Sequence, residues 1–387
     1  MKRGTERILT THAGSLPRPA DLRELVQART DGRPYDTSAY PKRLRDAVSD
    51  VVRAQTAHGL DVIGDGEMSK PSFVTYVTER LGGFEPIAEP GTLPWAGSKE
   101  VAAFPEFYEA SLRRSPNAAA RRFACTGPIT YRGHAHVQAD IDNLRSALAG
   151  AEYEEAFITA IAPSNVEGRH PNRHYKTDAD YLFAIADAMH EEYKAIVDAG
   201  FLLQIDDPRL VTYYILSPAS TVADARRWAK MRVEALNQAL RGIPRDRVRF
   251  HTCYSINMGP RVHDMRLEDV VDIILAVRAG AYSFEAANPR HEHEWRVWKN
   301  VKLPDGAVLV PGVITQSTVL VEHPELVAER IVRFAGVVGR ENVIAGADCG
   351  FASFAASEEI HPTIVWAKLA ALTEGARLAS GQLWRTR

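Results

Sequence analysis

Cysteine is scarce: the 387 residues include three, Cys125, Cys253 and Cys349. Three thiols cannot build a disulfide framework. Stability must therefore come from an apolar core, and a chain of this length with 45% hydrophobic residues can build one. No run approaches the roughly 18 apolar residues of a membrane-spanning helix. The opening MKRGTERILTTHAG lacks the apolar stretch of a signal peptide. An excess of one charge is also missing. Lys and Arg number 47 against 49 Asp and Glu, a formal net charge of −2, which provides no bulk basic field for nucleic acid. These absences point to a cytoplasmic protein acting on small molecules, with neither a membrane nor a nucleic acid among its partners. A homo-oligomer stays open.

What the sequence does have is a rhythm. Eight short apolar runs end in small, polar or acidic residues: ILTTHAGS, LDVIGDGE, AFITAIAPSN, FLLQIDDP, VRFHTCYS, AYSFEAAN, VLVPGVIT and NVIAGADCG. Most are continuously apolar, as strands buried on both faces must be. Amphipathic stretches lie between several of them. In 180–200, Leu182, Ile185, Ala186, Met189, Tyr193, Ile196 and Val197 recur at helical spacing before Gly200, a helix stop. Residues 267–280 and 323–339 repeat the pattern. Strand–helix alternation on this scale predicts an α/β fold, a (β/α)8 TIM barrel occupying residues 1–387 as one domain. A doubly wound open sheet is the alternative. Residues 90–150 break the rhythm and read as an inserted hairpin and helix, and 30–45 as a loop excursion.

Barrel enzymes place their chemistry at the C-terminal ends of the strands. The residues there include Ser15, Asp65, Glu67, Asp206, Asp207, His251, Cys253, Glu285, Thr315, Asp348 and Cys349. His251 and Cys253 flank one residue on an extended segment, so both side chains point to one face. With Cys349 and Glu285 at the ends of other strands they form an N/S/O donor set suited to Zn(II). The spacing is not that of a zinc finger, so the fold itself must assemble the site. Plainer roles exist for each residue. A buried cysteine is a common small core residue. Glu285 suits a salt bridge, Glu67 a pairing with Arg18, and Asp206-Asp207-Pro208 a helix cap. His291 and His293, in PRHEHEW, resemble a metal patch but fit a solvated face better. The basic loop holding Arg169, His170, Arg173, His174 and Lys176 is either plain surface or an anion grip.

The motifs THAGSLPRP, IGDGE, LLQIDDP, HTCYS, YSFEAANPR, LVPGVIT and AGADCGF together resemble the cobalamin-independent methionine synthase family, in its catalytic C-terminal barrel. The resemblance runs nearly end to end. It implies zinc ligands at His251, Cys253, Glu285 and Cys349. It implies a thiol-amino-acid pocket in which the Ala13-Gly14-Ser15 turn holds the carboxylate while Glu67 and Asp206 hold the ammonium. His251, Cys253, Cys349 and Asp206 would then carry catalysis, a zinc-dependent methyl transfer to homocysteine or a similar thiol, of the 5-methyltetrahydropteroyltriglutamate-homocysteine methyltransferase kind. The TGPIT run (126–130) mimics a family motif, but AFITAIAPSN takes the third barrel strand, and Cys125 is left out of the site.

Full-length members of that family carry a second, N-terminal barrel that helps hold a folate donor. This chain has one barrel, so folate is a possible donor and another methyl or alkyl donor is equally open. The alternative activity is zinc-dependent epoxyalkane or alkyl transfer to coenzyme M, whose sulfonate would need a basic contact. A third reading is a decarboxylase-like or non-catalytic barrel with an inert HxC pair.

Overall fold

The computed structural model describes residues 1–88, 95–112, 122–254, 259–356 and 359–384. Eight strands carry the eight apolar runs: β1 (Leu9–Thr10), β2 (Val62–Gly64), β5 (Glu155–Ile161), β6 (Leu202–Asp206), β7 (Val248–Thr252), β8 (Ala281–Phe284), β9 (Val308–Ile314) and β10 (Ile344–Ala347). They form one parallel sheet in the order β1-β10-β9-β8-β7-β6-β5-β2. The sheet curls until its edges meet. Thr11 bridges to Val62 in parallel fashion, and the Thr11 hydroxyl donates to the Val62 carbonyl at 2.8 Å. An eight-stranded α/β barrel results, and the open-sheet alternative falls.

Alternate residues of each strand face inward and outward. Leu203, Ile205, Phe250, Tyr282 and Leu309 join the large core shared with the outer helices. The inward residues change in character with height. Val62, Phe157 and Leu202 form one small apolar cluster and Leu9, Ala281, Val308, Val310 and Ile344 another, with Met1 packed on both. Above this floor lies Arg249, whose guanidinium donates to Thr11 Oγ1 at 2.9 Å and the His12 carbonyl at 2.8 Å. Two residues further along the same strand face comes His251. The sheet period therefore lifts polar chemistry to the C-terminal rim.

The remaining strands, β3 (Leu81–Ile87) and β4 (Arg122–Tyr131), pair antiparallel outside the barrel. TGPIT lies within β4, so the sequence mimic is indeed hairpin, and the helix His134–Ala147 follows it. The hairpin opens at Leu81, earlier than the 90–150 window; positions 90–94 and 113–121 of that window, like Ser255 of HTCYS, lie outside the described residues.

Two expectations need revision. The 30–45 excursion shrinks to the residues between the helices Ala20–Asp31 and Tyr40–Ala57, because Pro41 at the second helix's start favours its first turn. In 267–280 the helical period yields a 3-10 turn, Leu267–Asp269, and a short helix, Val271–Leu275. Asn237, from the neighbouring helix Val222–Ala239, donates to the Ala276 carbonyl and accepts the Arg278 N–H, so the backbone is satisfied there without another helical turn. Gly280 is not a helix stop; a Cβ on it would lie 2.8 Å from the Arg245 carbonyl. The helices Asp178–Asp198 and Pro324–Val338 do end at Gly200 (φ 94°) and Gly339 (φ 90°).

The last helix, Pro362–Leu383, packs on Pro324–Val338 through Gly375, where a Cβ would meet Val327 Cγ1 at 2.4 Å. Gly381 of the same helix has open space around it. Helix propensity favours alanine at both positions by up to about 1 kcal/mol, but overpacking costs about 1–3 kcal/mol. Gly375→Ala should thus lower the midpoint of urea unfolding while Gly381→Ala raises it or leaves it unchanged. A stabilised Gly375→Ala protein would contradict this packing.

Candidate metal centre

His251 and Cys253 occupy the end of β7 and its first loop residue, and Cys349 follows β10 by two residues. The barrel brings them together. One donor atom from each lies within 4.8 Å of the others, and all three residues are buried. The Cys253 and Cys349 sulfurs are 3.4 Å apart without a disulfide. Two sulfurs held about 2.3 Å from one ion in a tetrahedral set would sit about 3.8 Å apart, so a small adjustment lets both bind the same ion. The group could hold a metal ion, and its donors are those that borderline-soft metals favour.

The imidazole is oriented for that task. His251 Nδ1 lies 2.9 Å from Asp206 Oδ1, the kind of carboxylate–histidine pairing that directs the other ring nitrogen toward a metal. The same oxygen accepts from Gln204 Nε2 at 2.7 Å, and that amide also donates to the Ala13 carbonyl at 2.7 Å. Burial pulls the His251 imidazole down, but the Cys253 sulfur and the Asp206 carboxylate outweigh it and raise it well above its ordinary value. The hydrogen bond to Cys253, with burial and the Cys253 charge, pushes the Cys349 thiol well up. Two adjacent buried sulfurs resist being charged together until a cation compensates them.

Asp348 acts from behind. Its carboxylate accepts the backbone N–H groups of Ala286, Ala287 and Asn288 at 2.7 to 3.0 Å, tying the loop after β8 to the end of β10. Gly312 makes room for it: a Cβ there would fall 2.0 Å from Asp348 Oδ1. Glu285 is not among the three clustered donors. Its Oε1 accepts the Tyr254 N–H and its Oε2 the side chains of Arg261 and Asn288.

Beside the sulfur pair opens a cleft whose walls include Ala13, Ser15, Glu67, Asp206 and Ser353. The turn before Glu67 is tight: Gly66 and Glu67 both take left-handed backbone, and the Glu67 N–H bonds Asp65 Oδ1 at 3.0 Å. For a residue with a Cβ that conformation is strained, as functional positions often are. Glu67 Oε1 accepts from Thr159 Oγ1 at 3.0 Å, while Oε2 is buried with no hydrogen-bond partner. Burial, with the nearby Asp206 charge, pushes the Glu67 carboxyl up to about 7 against the opposing pull of Lys70. Gly14 is indispensable here, because its φ is 125° and a Cβ would lie 2.8 Å from Glu67 Oε1.

Several plainer roles are now decided. Arg18 does not pair with the Glu67 carboxylate; its guanidinium donates to the carbonyls of Glu67, Lys70 and Ala352. Asp207, not Asp206, serves the helix Arg209–Leu216, accepting the Leu210 N–H at 3.1 Å. His291 is not on a solvated face. It is buried, stacks on Tyr254 at 4.0 Å, and has Asp264 and Glu294 at its two ring nitrogens. The Arg169–Lys176 loop docks on β4 through backbone bonds between Cys125 and both Pro171 and Arg173, and none of its residues lines the cleft. Arg261, Asn288 and Gln204 were missed, because their part depends on contacts that sequence spacing does not encode.

A family model described as the cobalamin-independent synthase catalytic domain matches residues 8–123 and 157–371. A protein named methionine synthase from Sulfolobus acidocaldarius is 26% identical over 342 residues, 88% of this chain and 85% of that protein. One of the same name from Sulfurisphaera tokodaii is 25% identical over 380 residues, 97% and 93% of the two chains. The fold is shared with a B12-independent methionine synthase from a Shewanella species, solved with selenomethionine, at a TM-score of 0.75 and 19% identity, covering 98% of this chain and all of that one.

The raised Glu67 carboxyl has a signed consequence for stability. Between the ordinary value of 4.5 and about 7 the folded protein keeps a proton that the unfolded chain releases, so stability falls as pH rises through that window. In metal-free protein, Glu67→Gln should gain stability over wild type across this range, by up to about 3 kcal/mol, and hold a constant advantage at higher pH. Urea unfolding from pH 4 to 9 measures this; a difference independent of pH would contradict it.

Proposed function

The chain belongs to the cobalamin-independent synthase family, whose catalytic-domain model spans most of its length, and from that premise we propose that it is a zinc-dependent thiol S-methyltransferase acting on homocysteine. The observation that carries the reading is the buried His251–Cys253–Cys349 group opening onto a cleft with an unsatisfied carboxylate. His251 through its ring nitrogen and the two cysteines through sulfur would hold the ion. Zinc, when bound, keeps the sulfur of the acceptor as a thiolate at neutral pH, where a free thiol with a pKa near 8.5 is mostly protonated.

The residues of the chain supply the rest. Glu67 Oε2 offers its unpaired oxygen to the acceptor's ammonium. The Ala13-Gly14-Ser15 turn faces the carboxylate, with Ala13 and Ser15 on the cleft wall. The acceptor is thereby held at both ends of its amino-acid portion, with its sulfur directed at the metal ligands, and orientation of this kind lowers the barrier to an in-line displacement. Asp206 fixes the imidazole with one oxygen and closes the cleft beside it. The donor is a small molecule carrying a methyl group, with folate one candidate. Coenzyme M is the weaker acceptor on this geometry, since among the described residues no Lys or Arg lines the cleft to meet a sulfonate.

Loaded with zinc, the protein should bind about one ion per chain and methylate homocysteine far faster than coenzyme M, with product read by mass across a panel of donors. Cys253→Ser and Cys349→Ser should lose both ion and turnover. Metal-free protein with unimpaired activity would refute the proposal. Asp206→Asn should fold normally but bind zinc about 10- to 100-fold more weakly, as read by competition with a chromophoric chelator; unchanged affinity would remove Asp206 from the imidazole's support.

A further inference from the structure

Lys70 is a buried cation to which the chemistry above gives no task. It is 1% exposed, and its ammonium donates to the Thr159 carbonyl at 2.6 Å and to Thr159 Oγ1 at 2.7 Å. It also lies 4.6 Å from the centre of the Tyr76 ring. Burying an ammonium is costly unless its donors are met, and two oxygens and a ring face meet this one. The backbone around it is fixed as well. The Lys70 N–H donates to the Glu67 carbonyl at 3.1 Å, and Arg18 Nη2 donates to the carbonyls of both residues.

Thr159 stands between Lys70 and Glu67. Phe157 of β5 belongs to the apolar floor of the barrel, and Thr159, two residues on, shares its face. A hydroxyl has one proton to give, and an ammonium can only donate. Thr159 Oγ1 therefore accepts from Lys70, and its own proton goes to Glu67 Oε1 at 3.0 Å. Glu67 Oε1 is thereby committed as an acceptor, and the carboxylate is held with the buried, unpartnered Oε2 free. Burial raises the Glu67 carboxyl, and among the charges that oppose it Lys70 acts more strongly than Arg18. Thr159 also packs on the turn across the cleft: a Cβ on Gly14 would lie 2.8 Å from its Cγ2.

Resting on the reading of Glu67 as the partner of the acceptor's ammonium, we propose that Lys70 and Thr159 are positioning residues that select a thiol carrying an amino group. Lys70 fixes the direction of the Thr159 hydroxyl, Thr159 pins Glu67 Oε1, and Oε2 is presented to a cation at one place. A thiol without the ammonium leaves that oxygen buried and unpaired. Sites built around such a polar contact reject analogues that lack it.

Turnover of the zinc-loaded protein with two acceptors tests this: homocysteine and γ-mercaptobutyrate, the same thiol acid without its amino group. Thr159→Val keeps the shape of the side chain and removes the hydroxyl; Lys70→Met removes the charge. Each should raise the homocysteine KM about 10- to 100-fold with kcat little changed, while the γ-mercaptobutyrate KM and the zinc content stay as in wild type. Thr159→Ser, which retains the hydroxyl, should behave as wild type. The Thr159 pair decides the matter alone if Lys70→Met does not fold. A Thr159→Val protein identical to wild type, an equal loss with both acceptors, or a Thr159→Ser protein as impaired as Thr159→Val would each overturn the inference while the proposed function stands. Wild type that uses both acceptors equally well would overturn the ammonium contact at Glu67 itself, and this inference with it.

Discussion

Two buried sulfurs 3.4 Å apart are the constraint around which this rim is organised. Left as thiols they are poor hydrogen-bonding partners, and as thiolates they repel. A divalent cation would resolve both problems, and the His251, Cys253 and Cys349 donors could hold one. Asp206 orients the imidazole, Asp348 ties the loop after β8 to the strand end that presents Cys349, and Glu285 is ion-paired with Arg261. Barrel closure makes the meeting possible. Cys253 and Cys349 are separated by 96 positions, and the strand order β10-β9-β8-β7 sets them across the mouth from each other.

The acid content of the rim fits the same logic. Glu67, Asp207, Glu285 and Glu359 are all pushed up, to between about 6 and about 7, with burial the leading cause. Burying so many carboxylates costs stability, and a core shaped only for folding would avoid it. Asp207 recovers some of the cost through Ser164, Asn165 and a helix start. Glu67 does not, because one oxygen stays unpaired. Stability forgone at a site facing a cleft is a common mark of binding energy kept for a ligand.

Much of this was legible in the sequence for a simple reason. The eight strand runs announce themselves because strands buried on both faces are continuously apolar, and their polar endings fall on one rim by topology. His251 and Cys253 share a face by the strand period alone. Contacts between separate loops were beyond reach. Nothing in the spacing of Arg261 and Glu285 indicates an ion pair, and PRHEHEW reads as exposed until His291 is seen beneath Tyr254. The 267–280 stretch failed for a related cause: its helical period is real, but Asn237 on another helix satisfies the backbone and ends the helix early.

The most direct measurement is X-ray absorption at the zinc edge of the zinc-loaded protein, with and without homocysteine. The account predicts two sulfurs at about 2.3 Å and one imidazole nitrogen in the resting state, with a third sulfur when the acceptor binds. Fewer than two sulfurs at rest, or a sulfur count unchanged by homocysteine, would contradict it.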